Sequence, residues 1–113
     1  MIRALLVCLA VSGCAISSDK NLEIAFQSIN AMDAYTTSRI RHTPGVMESN
    51  PLTRSLIGSQ PNSNDVVLLF IAYGIGHYMI SKSLPPKWRR YFQVATILYS
   101  GSLVINNCKL DLC

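Results

Sequence analysis

The sequence predicts an all-α membrane protein, and its composition is the first indication. Half of the 113 residues are hydrophobic and only 14% are charged, whereas about 25% is usual in a soluble domain. The apolar residues are concentrated in three segments, 4–11, 66–80 and 94–105, and do not alternate with polar residues as they would in one soluble core. A chain of this length forms one domain at most.

The N-terminal segment, residues 1–13, has the layout of a secretory signal: one arginine, an apolar run and then small residues. Val11-Ser12-Gly13-Cys14 is similar to a bacterial lipobox, in which the cysteine is lipidated and becomes the new N-terminus. We therefore expect lipidation at Cys14 and a single helical membrane domain over 14–113. The alternative is an uncleaved apolar anchor that happens to contain cysteines.

The next segment, 22–41, has a helical period. At about 100° per residue its polar side chains fall on one narrow stripe, formed by Glu23, Gln27, Asn30, Asp33, Thr37 and Arg41. The wider remainder is apolar, so this amphipathic helix does not stand alone in water. We expect it to lie in the membrane interface on the outer surface. The alternative is that it packs inside the bilayer with its polar stripe turned to other helices.

Two membrane-crossing helices are predicted after loops at 42–45 and 58–64, which contain Pro and Gly or Asn. The helix 65–84 is long enough to cross a bilayer, and 91–107 is near the lower limit. Between them the chain is basic, with Lys82, Lys87, Arg89 and Arg90. The pattern therefore predicts a transmembrane hairpin with a tight basic turn.

Charge distribution favours one topology. The alternative, in which 22–41 crosses the membrane and the basic turn faces outward, stays open because Arg39, Arg41 and Arg54 form a second positive cluster. Because positive loops are retained in the cytoplasm, the basic turn should face inward and both ends of the hairpin outward. This places the protein in the bacterial cell envelope, at the inner membrane, with its N- and C-termini outside the cytoplasm. Cys108 and Cys113 would then lie where disulfides persist, and they form the expected pair. The basic residues do not alternate with exposed aromatic residues, so nucleic-acid binding is not expected.

A cluster of polar residues has two interpretations. Asp33 and Thr37 lie four residues apart on one helix face, Glu48 and Asn50 follow the turn, and His77 lies midway along the first crossing. They could fix helix packing through hydrogen bonds, which is the favoured interpretation. Alternatively Asp33, Glu48 and His77 bind a divalent metal ion or relay protons.

The motif residues carry a resemblance. Asp33-Ala-Tyr-Thr36-Thr37 followed by Glu48-Ser-Asn50-Pro51-Leu52 resembles a family of small bacterial and phage membrane proteins of unknown function with a D-x-x-T-T … E-x-N-P-L motif. The resemblance covers roughly residues 22–107. It implies that the first helix is embedded in the membrane, and it implies no activity.

The expected function is a structural or regulatory one, exerted through helix–helix contacts in the envelope. The expected partners are membrane lipid and other membrane proteins or a second copy of the chain, and no cofactor is expected. No G-x-S-x-G, HExxH or P-loop pattern occurs, so an enzyme is not favoured. The alternatives are the metal-binding or proton-relaying protein described above and a surface lipoprotein that acts in phage exclusion or lysis.

Overall fold

The computed structural model describes residues 19–113, which form four α-helices and no β-strand. The helices are α1 (Asp19–Ser38), α2 (Pro51–Ile57), α3 (Ser63–Ser83) and α4 (Pro86–Lys109), with a 3-10 turn at Ile40–His42 after α1. The predicted all-α class is confirmed for these residues. The signal segment 1–13 and the lipidation site Cys14 lie outside the described residues.

Helix α1 is the centre of a three-helix bundle. Its side chains bond α3 in antiparallel order, since Gln27 donates to the carbonyl of Gly74 at 2.8 Å and Asn30 to that of Phe70 at 2.9 Å. It runs parallel to α4, which it contacts even more extensively, whereas α3 and α4 contact each other little. Helix α1 therefore packs alongside both long helices with its polar stripe turned to them, which is the helix packing of the alternative interpretation of 22–41.

The structure corrects the expected two-helix transmembrane hairpin. Among the described residues only α3 is long and apolar enough to cross a membrane. Helix α4 starts at Pro86 instead of 91, because a proline at the first helical position needs no hydrogen-bonded N–H and already has a helical φ. Its first turns therefore include Lys87, Arg89 and Arg90, which lower its mean hydropathy.

Helix boundaries follow from local capping. Helix α1 ends at Ser38, before the predicted 41, because the backbone tightens: Arg39 N–H donates to Thr36 O at 3.2 Å and His42 N–H to Arg39 O at 3.1 Å. As a result Arg41 leaves the polar stripe and is exposed. The short helix α2 was not predicted. Its N-cap is Asn50, whose side chain accepts from Leu52 N–H at 3.1 Å.

The polarity of the bundle is reversed relative to a soluble protein. Among the described residues, buried polar or charged side chains outnumber buried hydrophobic ones. Large apolar side chains on α3 point outward instead, including Leu68 at 67% exposure, Ile71 and Met79. The interior of the bundle therefore contains many hydrogen bonds between helices, and the polar stripe of α1 supplies several of them.

Candidate functional site

The interior contains two polar clusters at opposite halves of α1. The first, called the histidine cluster, consists of Glu23, His77 and Thr96, one residue from each long helix. His77 Nδ1 lies 2.9 Å from Glu23 Oε1, and Nε2 lies 2.6 Å from Thr96 Oγ1. A continuous hydrogen-bonded path thus crosses the bundle from α1 through α3 to α4.

Aromatic rings enclose the imidazole of His77. The ring of Phe26 stacks on it at a centroid distance of 3.4 Å, and the ring of Phe92 also stacks on it, at a centroid distance of 4.7 Å. His77 itself is only 5% exposed. Because both nitrogens are bonded and both neighbouring rings are apolar, the imidazole is held in one orientation.

Glu23 acts as an acceptor for several donors. Its Oε1 accepts from Gln27 Nε2 at 3.0 Å, and its Oε2 accepts from Gln93 Nε2 at 3.2 Å. A carboxylate that accepts from both amides is also an acceptor for a proton on His77 Nδ1. On the other side, Thr96 Oγ1 lies 2.8 Å from the carbonyl of Phe92. The hydrogen-bonded path ends at that carbonyl.

Arg89 fastens the N-terminus of α1 to the basic segment. Its Nη1 donates to Asp19 Oδ2 at 3.0 Å, while its Nε and Nη2 donate to the carbonyls of Ser81 and Leu84 at 2.6 and 2.9 Å. These carbonyls end α3, so the planar guanidinium serves as a C-terminal cap. The start of α1 and the basic turn therefore lie at the same end of the bundle.

The second group, called the carboxylate cluster, lies where α1, the 43–50 loop and α4 meet. Asp33 and Glu48 are 6% and 4% exposed, and they are close enough for their charges to interact. Thr37 Oγ1 donates to Asp33 Oδ1 at 3.3 Å, and Asn107 Nδ2 donates to the same oxygen at 3.3 Å. Asn107 also bonds Thr36 Oγ1 at 2.8 Å.

Glu48 is held by its own loop. Its Oε1 accepts from Asn50 N–H at 2.9 Å, and its backbone N–H donates to Ser59 O at 2.8 Å. Burial raises the pKa of the Glu48 carboxyl, against the opposing effects of the backbone amides of Asn50 and Ser49, the charge of Arg54 and the nearby Thr37 hydroxyl. Glu48 Oε2 is buried and has no hydrogen-bond partner. The cluster thus contains more acceptors than donors.

The predicted polar cluster is divided by the structure. Asp33, Thr37, Glu48 and Asn50 come together, whereas His77 lies near Glu23, about 15 Å from Asp33 along α1. No three His, Cys, Asp or Glu residues within 19–113 are grouped as metal ligands would be. The metal site built on Asp33, Glu48 and His77 together is therefore not formed.

Sequence reasoning missed two members of the histidine cluster. The helical period puts Glu23 on the polar stripe but does not connect it to His77, and the predicted polar cluster does not include Thr96. The available signal was that Glu23 and Asp33 share one face of α1, so each needs its own partners on the neighbouring helices. Thr96 is one of the few polar side chains in an apolar segment.

The two C-terminal cysteines form a disulfide. Cys108, in the last turn of α4, is joined to Cys113 with a Cα–Cα distance of 4.8 Å, which is the pair that the sequence indicates. The intervening Leu112 is fully buried. This disulfide lies at the end of the bundle that contains Asn107 and the carboxylate cluster, opposite to Arg89.

Comparisons of the chain with protein families, with curated proteins and with solved structures find no match. The resemblance to the D-x-x-T-T … E-x-N-P-L family rests on the motif residues alone. Of these, Asp33, Thr37 and Glu48 lie in the carboxylate cluster, and Asn50 caps α2 beside it.

Proposed function

We propose that this chain is a small integral membrane protein of the cell envelope, with a structural or regulatory role exerted through contacts between its apolar surface and other membrane helices. The observation that carries this proposal is the reversed polarity of the bundle. Apolar side chains face outward along α3, while Asn30, Asp33 and His77 face the interior. In hydrocarbon, polar side chains are stable only when they bond one another, and apolar side chains need no cover.

The positions of the charges support the same placement. Each long helix has a stretch that is almost free of Asp, Glu, Lys and Arg. In α1 this stretch is 24–38, where the buried Asp33 is the one such residue; in α3 it is 66–81 and in α4 it is 91–108, and neither contains one. At about 1.5 Å per residue these stretches are roughly 22–27 Å long, close to the approximately 30 Å of a bilayer core. The exposed charges therefore lie at the two ends of the bundle, as they do in a membrane-spanning protein.

The positions of Arg89 and of the disulfide also support one orientation of the protein in the membrane. Arg89 and the start of α1 lie at one end, and the Cys108–Cys113 disulfide lies at the other. Lysines and arginines occur at both ends, so charge alone does not decide. A disulfide persists in an oxidising compartment, which favours the disulfide end outside and the basic turn in the cytoplasm. Under this proposal residue 19 is cytoplasmic, in contrast to the expectation that both termini lie outside.

Lipidation at Cys14 and this orientation exclude each other. The chain from Cys14 to Asp19 reaches at most about 18 Å when fully extended, too short to cross a bilayer. A lipid-anchored Cys14 on the outer face would therefore bring the basic turn outside and the disulfide into the cytoplasm. Labelling of the protein with a fatty acid, lost in Cys14→Ser, would establish the inverted arrangement and contradict the one proposed.

A groove on the surface of the helical bundle is suited to a helical partner. It has a volume of about 620 Å³ and runs between α1 and α3, with Ala31 and Ala34 on one side and Val67, Ile71 and Ile75 on the other. Small residues allow the backbone of a second helix to approach closely, and this close packing drives association in lipid.

Two measurements test the proposal. Membranes from expressing cells are washed with alkaline carbonate, and the protein should stay in the pellet; its release would contradict membrane integration. A photo-crosslinking residue is then placed at the exposed Ile71 and, as the matched control, at the fully buried Val66. Protein adducts should form from position 71 and not from 66. An absence of protein adducts from positions 68, 71 and 75 would contradict the interaction role.

The histidine cluster supports a second candidate function, the relay of protons. The observation that favours this function is the unbroken hydrogen-bonded path from Glu23 through His77 to Thr96. Protein reconstituted into liposomes should then dissipate an imposed pH gradient, and His77→Gln should abolish the flux while the helical circular dichroism is preserved. Equal leakage from wild-type, variant and protein-free liposomes would rule it out. Because the path ends at a backbone carbonyl, this candidate ranks second.

A further inference from the structure

The carboxylate cluster has a deficit of positive charge. The ion pairs found within 19–113 are His77–Glu23 and Arg89–Asp19, so neither Asp33 nor Glu48 has a cationic partner within salt-bridge distance. Arg54 acts on Glu48 only through its charge at longer range. Two buried carboxyl groups whose charges interact are stable together only when a proton or a cation lies with them.

The unbonded oxygen of Glu48 identifies the position of the deficit. Glu48 is only 4% exposed. Its Oε2 is one of two buried side-chain nitrogen or oxygen atoms within 19–113 that lack a hydrogen-bond partner. The Thr37 hydroxyl lies beside this carboxyl, but its single proton is directed to Asp33 Oδ1 at 3.3 Å. Thr37 therefore lies between the two carboxyl groups with its oxygen lone pairs available.

The chemistry of these groups selects the ligand. Two carboxylates and a hydroxyl are oxygen donors, and oxygen donors suit Mg²⁺, Ca²⁺ and Mn²⁺ rather than softer metals. Two negative charges balance one divalent ion. The sulfur and imidazole ligands that zinc prefers are elsewhere, because His77 bonds Glu23 and Cys108 is in a disulfide.

We propose that Asp33 and Glu48 bind one divalent, oxygen-preferring cation, with the Thr37 hydroxyl as a further ligand. The site lies at the disulfide end of the bundle. It joins the 43–50 loop to α1, because Glu48 belongs to the loop and Asp33 and Thr37 belong to the helix. Binding therefore fastens the loop, and with it α2, against the three long helices. This site does not depend on the proposed helix–helix role.

The experiment uses the full chain, purified in detergent and freed of metal by chelator. Titration with Mn²⁺ is followed by electron paramagnetic resonance, in which the bound ion loses its free-ion signal. We expect one saturable site per chain, and saturation with Mn²⁺, Mg²⁺ or Ca²⁺ should raise the melting temperature by about 5 °C. Asp33→Asn and Glu48→Gln should abolish both effects.

The matched control is Asp65→Asn, which removes an exposed carboxylate bonded to Asn62. It should bind Mn²⁺ as the wild type does, and loss of binding in this variant would overturn the assignment. The wild-type stoichiometry needs no variant, so it decides the matter even where Asp33→Asn does not fold. Absence of a saturable site overturns the proposal. So does a melting temperature that is indifferent to cations and chelator but rises as the pH falls, since the two carboxyl groups then share a proton.

Discussion

The side chain of Gln27 and the backbone of Gly74 are in direct contact: the amide nitrogen donates to the glycine carbonyl at 2.8 Å. A Cβ atom built at position 74 would lie 2.7 Å from Gln27 Oε1 and 3.4 Å from Asn30 Nδ2. The Gln27 amide therefore occupies the space that a Cβ atom at residue 74 would need.

Gly74→Ala is predicted to be less stable than Gly76→Ala, although both replace a helical glycine. A Cβ at position 76 would meet no atom within 4 Å, so Gly76→Ala should stabilise by about 0.5–1 kcal/mol through helix propensity. In Gly74→Ala the Gln27 amide has to move and gives up its hydrogen bond to the residue-74 carbonyl, which costs about 0.5–1.5 kcal/mol and offsets that gain. Unfolding in detergent, followed by circular dichroism, measures both. Equal free energies of unfolding for the two variants would show that the position of Gln27 does not require a glycine at residue 74.

Glu23 and His77 are predicted to be energetically coupled. Glu23→Gln or His77→Gln alone should destabilise by about 1–3 kcal/mol, because each leaves a buried partner without its hydrogen bond. The double variant should be less destabilised than the sum of the two. The control pair is Asp19 with Arg89, whose Asp19 side chain is 42% exposed and whose coupling should be under about 1 kcal/mol. Strict additivity for Glu23 and His77 would contradict the direct bond.

Arg89→Lys is predicted to destabilise by about 1–2 kcal/mol despite keeping the charge. A lysine ammonium does not reproduce the planar fork that reaches Asp19, Ser81 and Leu84 at once. Lys87→Arg, at an exposed position in the first turn of α4, is the control and should be neutral. Thermal unfolding of the two variants compares them. A loss confined to the control would show that the Arg89 contacts do not hold the end of α3.

The disulfide is predicted to be intact in cells and to stabilise the end of the bundle. A thiol reagent should leave Cys108 and Cys113 unlabelled until the protein is reduced, whether or not the reagent crosses membranes. Cys113→Ser should lower the free energy of unfolding by about 2 kcal/mol, as expected for a short closed loop. Labelling of both thiols in intact cells by a membrane-permeant reagent alone would place this end in the cytoplasm and invert the proposed orientation.

Periodicity predicted the helices well because it is a local property. The predicted 65–84 became Ser63–Ser83, and Asn30, Asp33 and Thr37 of the polar stripe are buried. Helix α2 was missed because seven residues are too few to show a period, even though the Asn50-Pro51 pair has the residues of an N-cap and first position.

The relative placement of the helices was not predictable in the same way. Whether a polar stripe turns to water or to other helices depends on partners far along the chain, such as the carbonyl of Gly74 for Gln27. The grouping of His77 with Glu23 and not with Asp33 depends on the antiparallel register of α1 and α3. A single sequence does not specify this register, because apolar positions on α3 face outward as well as inward.

The central position of α1 has a consequence for biosynthesis. Its polar side chains find their partners on α3 and α4, both of which leave the ribosome later. An ionised carboxylate within a lone helix opposes insertion, by up to about 2.5–3.5 kcal/mol at the helix centre, and Asp33 lies within the otherwise uncharged stretch of α1. For a protein of the proposed kind, α1 therefore enters lipid as one unit with the helices that follow it, and a nascent chain halted before residue 63 leaves α1 outside the bilayer.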